Sequence, residues 1–130
     1  MAQATLVSHQ IDDGQKLVTQ LAQDHFDVTA AGWVKTSEEG KWSLYIASKE
    51  VDDKGPAAAY RAVRTAIQHL PDLWVDPFDV KLIGPTDPIA VDLVKVQRGH
   101  RSRIPARFRG PFLGGVSVDE AFIYPALPPG

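Results

Sequence analysis

A chain of 130 residues with 44% hydrophobic and 23% charged side chains has the make-up of an ordinary globular domain, not of a disordered, collagenous or membrane protein. It has no cysteine, which excludes disulfides, thiolate nucleophiles, cysteine-based zinc sites and iron–sulfur ligation. The net charge of −2 conceals an uneven distribution: residues 1–94 carry 8 basic and 14 acidic side chains, residues 95–109 carry 6 basic and none acidic, and residues 110–130 carry 2 acidic ones only.

The first ten residues have neither a basic leader nor an apolar run of secretory length, and no stretch of about 18 apolar residues occurs, so the expectation is a cytoplasmic protein without membrane contact. Asp12, followed three residues later by Gln15, reads as a capping box, and Leu17, Val18, Leu21 and Ala22 recur at helical spacing, which predicts a first helix over 13–24. Gly14 in its first turn costs about 1 kcal/mol relative to alanine.

From Phe26 the period changes to two. Val28, Ala30, Gly32 and Val34 fall on one side of a strand and Ala31 and Trp33 on the other. After the polar loop Ser37, Glu38, Glu39 and Gly40, a second alternation puts Trp42, Leu44 and Ile46 on one face and Tyr45 on the other. The pair reads as a β-hairpin with aromatics on both faces, hence covered at least in part on both. Trp33 points away from Val34, which makes it a candidate dimer surface.

Asp52 and Asp53 stand ahead of Gly55 and Pro56, a helix start with acidic charge at the positive end of the dipole. Tyr60, Val63, Ile67 and Leu70 form a buried stripe with Arg61, Arg64 and Gln68 opposite, and Pro71 ends this second helix. Phe78, Val80 and Leu82 alternate with Asp79, Lys81 and Ile83 as a third strand, which turns at Gly84 and Pro85. Over 87–98 a strand would leave neither face apolar. A helix gains Asp87 as N-cap, Pro88 as first residue, the stripe Ile89, Leu93, Val96 and the terminator Gly99. A short strand over 106–109, breaks at Gly110 and Pro111 and at Gly114 and Gly115, and a last strand over 121–124 complete the order α-β-β-α-β-α-β-β.

This order predicts an α+β fold, about three helices on a mostly antiparallel sheet of four to five strands, with one parallel pair made by the crossover through the second helix. A single domain over 11–125 is expected between a flexible segment at 1–10 and a frayed tail at 126–130.

No phosphate-binding glycine pattern and no nucleophile elbow occurs; Ser117 reads as a loop serine. His9, His25, His69 and His100 show no metal-ligand spacing, and His25 and His69 read as residues at helix ends. The acidic pairs Asp12 with Asp13, Glu38 with Glu39 and Asp52 with Asp53 are accounted for by helix starts and a hairpin loop. No catalytic residue, metal or cofactor is indicated.

The basic stretch stands out: Arg98, His100, Arg101, Arg103, Arg107 and Arg109, with Lys95 upstream, and no acid among them. Guanidinium groups suit bidentate contact with phosphate or carboxylate. The competing use is internal pairing with Asp76, Asp79, Asp87, Asp119 or Glu120. The expectation is a non-catalytic binding or accessory module that engages a protein partner, a second copy of itself, or a polyanion such as nucleic acid. The alternatives are a small hydrolase or transferase for an anionic substrate, with Arg107 and Arg109 as clamps and His100 as acid or base beside Asp119 or Glu120, and a purely structural homo-oligomeric subunit.

Overall fold

The computed structural model describes residues 8–73, 75–99, 106–108 and 112–125. Along them run α1 (Ser8–Gln23), β1 (Ala30–Thr36), β2 (Trp42–Ala47), α2 (Glu50–Lys54), α3 (Pro56–Gln68), a 3-10 turn (Pro77–Asp79), β3 (Val80–Ile83), α4 (Pro88–Gly99), β4 (Ala106–Phe108), β5 (Phe112–Leu113) and β6 (Val116–Ile123). The fold is α+β, as the periodicities predict.

β1 and β2 pair antiparallel from Ala30↔Ala47 to Lys35↔Trp42. Every residue of β2, and every residue of β1 except Lys35, is buried, the pattern of strands covered on both faces. β1 takes β6 as a second antiparallel neighbour, β2 takes β3 as a parallel one, and β4 adds antiparallel to β6. The strand order is β3-β2-β1-β6-β4, with β5 folded back on the start of β6. The expected parallel pair is therefore present.

Strand alternation sorts the core into two layers. Ala31, Trp33, Trp42, Leu44, Ile46, Val80 and Leu82 pack with Leu17, Val18 and Leu21 of α1 and Ala59, Val63 and Ala66 of α3. On the opposite face Ala30, Val34, Tyr45, Ala47, Ala121 and Ile123 pack with Ala90 and Leu93 of α4. A bulge keeps β6 in step with this division. Lys35 pairs with Glu120 but Thr36 with Val118, so Asp119 is the extra residue, and Val118 shares the buried face of Ala121 although it lies three positions away.

Trp33 is 2% exposed and belongs to the core beneath α1, so it forms no dimer surface; its predicted face is right, but that face is covered. The indole N–H of Trp33 donates to the Tyr124 hydroxyl at 2.9 Å, and that hydroxyl donates to Ile11 O at 2.6 Å. Gly14 lies over this relay: a Cβ there would stand 2.8 Å from Trp33 Nε1 and closer still to the Tyr124 oxygen. The glycine that weakens the helix locally is what lets the helix touch the sheet.

Several boundaries differ from the sequence expectation, among them that of the third strand, which starts at Val80 and leaves Phe78 90% exposed in the 3-10 turn before it. α1 starts at Ser8, so Asp12 and Gln15 lie inside the helix and form no capping box; Ile11 packs on the same core as Leu17 and extends the apolar stripe back by a turn. Asp52 and Asp53 belong to α2, a five-residue helix too short to show a period, and sit in its first turn, not ahead of α3. The last strand begins at Val116 because its first half pairs with β5. Among the described residues no helix is long and apolar enough to cross a membrane.

Gly14→Ala tests the docking of α1. Helix propensity alone favours it by about 1 kcal/mol, but overpacking against two hydrogen-bonded rings is expected to win, with net destabilisation of about 1–3 kcal/mol. Tyr124→Phe, which leaves the Trp33 N–H unpaired in a dry core, is expected to lose about 1–3 kcal/mol. Urea unfolding followed by tryptophan fluorescence reads both. A Gly14→Ala variant more stable than the parent rejects the close approach.

Candidate functional site

The cationic stretch emerges from the end of α4. That helix forms where expected: Asp87 caps it by accepting from Ile89 N–H at 2.9 Å, Pro88 takes the first position, and Ala90 and Leu93 bury its inner face. Gln97 Nε2 donates to Tyr124 O at 3.1 Å and ties the last turn to the sheet. Arg98, one residue further on, is exposed. β4 follows as an edge strand, with the backbone of Arg107 in register with Phe122 and β6 as its only strand neighbour among the described residues. His100, Arg101, Arg103 and Arg109, and the side chain of Arg107, lie outside the described residues.

Three of the five acids named as internal partners for these arginines are engaged elsewhere. Asp76 accepts from Phe78 N–H at 2.9 Å, and Asp87 caps α4. Asp119 accepts from Ser37 Oγ at 2.7 Å and stands 3.9 Å from Lys35 Nζ. Ser117 Oγ in turn donates to Ser37 Oγ at 3.0 Å. This exposed Ser117–Ser37–Asp119 chain ties the β6 bulge to the β1–β2 loop. Among the described residues no imidazole takes part in it.

The β1–β2 loop holds a second charged cluster. Lys81 Nζ bonds to Glu39 Oε1 and lies 5.5 Å from the centre of the Tyr45 ring. The hydrogen bond from Lys81 holds the Glu39 carboxyl below its ordinary value, against burial. Burial alone would lower the Lys81 ammonium, but Glu39 and Tyr45 outweigh it and raise it. Glu39, an exposed acid of the hairpin loop as the sequence reading has it, is thus also a structural partner of Lys81.

On the face of α3 turned from the sheet the structure assembles groups that are far apart in sequence. A cleft of about 380 Å³ opens between the end of α1, α2 and α3. Buried Phe26 and Ala59 form its floor; Asp24, His25, Lys54, Arg61 and His69 stand exposed around it. Glu50, mostly buried, takes an ion pair from Lys54 at 3.0 Å, and that hydrogen bond keeps its carboxyl below the usual range in spite of burial. His25 and His69 do occupy helix ends, as expected, yet they line one cavity. Arg61, read as the solvent side of the second helix, lines it too. No local signal marks this meeting, because the helix end and the helix face are brought together only by packing on the sheet. Among the described residues no three His, Asp or Glu side chains are placed to hold a metal ion.

His25 enters the cleft through a strained turn. It sits at φ 63°, with its N–H donating to Ala22 O at 3.1 Å and Phe26 N–H donating to Leu21 O at 2.9 Å, the Schellman pattern in which glycine is usual. Comparison with known proteins adds no identity: no protein-family model, no curated protein and no solved structure matches the chain.

Two measurements check these environments. His25→Gly is expected to raise stability by about 1 kcal/mol through relief of the left-handed conformation, read as a higher urea midpoint; a lower midpoint means that the imidazole itself stabilises the turn. Glu39 and Glu50 have folded-state values below their unfolded ones, so their contribution is complete above the ordinary glutamate range and is lost as pH falls through the folded values. Stability is expected to drop below about pH 4.5, and Glu39→Gln to flatten part of that drop. A Glu39→Gln profile parallel to the parent's excludes the pair as a source of acid sensitivity.

Proposed function

We propose that this protein is a non-catalytic binding module that engages an anionic macromolecular partner through the cationic stretch that runs from Arg98 at the end of α4 through β4 to Arg109. The observation that carries the reading is the unequal treatment of the two sheet edges. At the β3 edge, the Leu82 N–H donates to the Tyr60 hydroxyl at 3.1 Å, so a side chain occupies a backbone donor that an added strand would use. At the other edge lies β4, in the arginine-bearing segment, with β6 as its only strand neighbour among the described residues.

In the alternative, a hydrolase or transferase with His100 acting beside Asp119 or Glu120, the first of these acids is already bonded to Ser37 and near Lys35.

The test is binding of a labelled duplex oligonucleotide and of a polyglutamate peptide over a range of salt. About five phosphate contacts predict that log K for the duplex falls with log salt at a slope of about −4 to −5. Replacing Arg101, Arg103, Arg107 and Arg109 by alanine is expected to abolish binding at unchanged melting temperature. A salt-independent affinity, or unfolding of the fourfold variant, overturns the proposal, the latter because it places the guanidinium groups inside the fold's own pairing.

A further inference from the structure

We infer that the cleft between the end of α1 and the outer face of α3 binds a small zwitterion with an apolar body, of the class of a free α-amino acid. The inference does not depend on the cationic edge, which lies elsewhere on the sheet.

The charges around the cleft do not cancel one another in place. Glu50 and Lys54 form a pair within α2. Asp24 Oδ1 accepts from the neutral Gln20 amide at 2.9 Å, a bond that supplies no opposite charge. Arg61 takes part in none of the ion pairs among the described residues, and neither does Asp24. One negative and one positive group therefore face the same space from different helices without reaching each other.

A simple anion placed there would satisfy Arg61 but meet Asp24, and a simple cation the reverse. A molecule carrying an ammonium and a carboxylate matches both. The carbonyl end of α1 adds negative potential on the Asp24 side, where the ammonium belongs. Along α3 and its C-cap, Arg61, Thr65 and His69 line the cleft at four-residue spacing, and a guanidinium can take a carboxylate through two parallel N–H groups. The lining also includes small and apolar side chains, Ala58 and Ala62 together with Phe26. The alanines make the room, and about 380 Å³ lies in the ordinary range for a small-molecule site.

The experiment is titration of the isotopically labelled full chain with L-leucine and L-phenylalanine, followed by amide chemical shifts. Saturable shifts confined to the end of α1, α2 and α3 are expected. 3-Phenylpropionate, which lacks the ammonium, and phenethylamine, which lacks the carboxylate, are each expected to bind at least tenfold more weakly than phenylalanine. Arg61→Gln and Asp24→Asn, both at exposed positions, should each weaken phenylalanine at least tenfold at unchanged melting temperature, and Ala58→Leu should close the cleft and abolish the shifts. Absence of saturable shifts at these residues with both amino acids overturns the inference. So does equal binding of either single-charge analogue, which would make the cleft a site for a plain anion or cation.

Discussion

The hydrogen-bond relay from Trp33 through Tyr124 to Ile11 fixes how the first helix meets the sheet. It starts between the buried side chains of Trp33 and Tyr124, where a hydroxyl both accepts and donates and where an unpaired partner would cost about 1–3 kcal/mol. Burial pushes the Tyr124 hydroxyl above the ordinary tyrosine range, so it remains a donor throughout neutral pH. The same residue acts through its main chain as well. Its N–H donates to Ala31 O at 3.0 Å and its carbonyl accepts from Gln97 of α4 at 3.1 Å. One residue thus joins α1, β1 and α4, which lie on both faces of the sheet, and the position of each helix is referred to a single point.

The opposite layer is set by a second close approach. Gly114, at φ 60°, seats the β5–β6 turn against the first turn of α4, where a Cβ would lie 2.6 Å from the carbonyl carbon of Pro88. Its N–H donates to Asp92 Oδ2 at 2.6 Å, so the turn is bonded to the helix as well as packed on it. The bulge at Asp119 then brings Val118 back to the buried side. These contacts join α4 to the β5–β6 turn, and so to the strand that pairs with β4.

What the sequence reveals is what short-range periodicity can encode. The hairpin is legible because Trp42, Leu44 and Ile46 alternate and a glycine closes the loop. α4 is legible because Asp87 and Pro88 agree with the stripe that follows, despite its valines and isoleucine. Gly14 shows the limit of such reasoning: read locally it is a defect near a helix start, and only the aromatic pair from β1 and the end of β6 explains it. Trp33 was placed on the correct face, but a strand pattern does not say what covers that face. α2 is too brief to have a period. The cleft is the least legible feature, since Asp24 and Arg61 each look like ordinary solvent-facing charges until α1 and α3 are packed side by side.

The acidic balance of the whole chain, with an isoelectric point near 6.0, is a weak argument against a cationic working surface. Charges more than about 8 Å apart in physiological salt are largely screened from one another, so a partner at one edge responds to the local density of charge and not to the total. The carboxylates that produce the net negative sign are distributed over caps and pairs throughout the fold: Asp76 and Asp87 on backbone N–H groups, Glu39 on Lys81, Glu50 on Lys54, Asp92 on the β5–β6 turn. Each is held by its own local duty. The arginines, by contrast, are gathered in one stretch of sequence free of acids, and it is this local density, not the total charge, on which the proposal of a cationic surface rests.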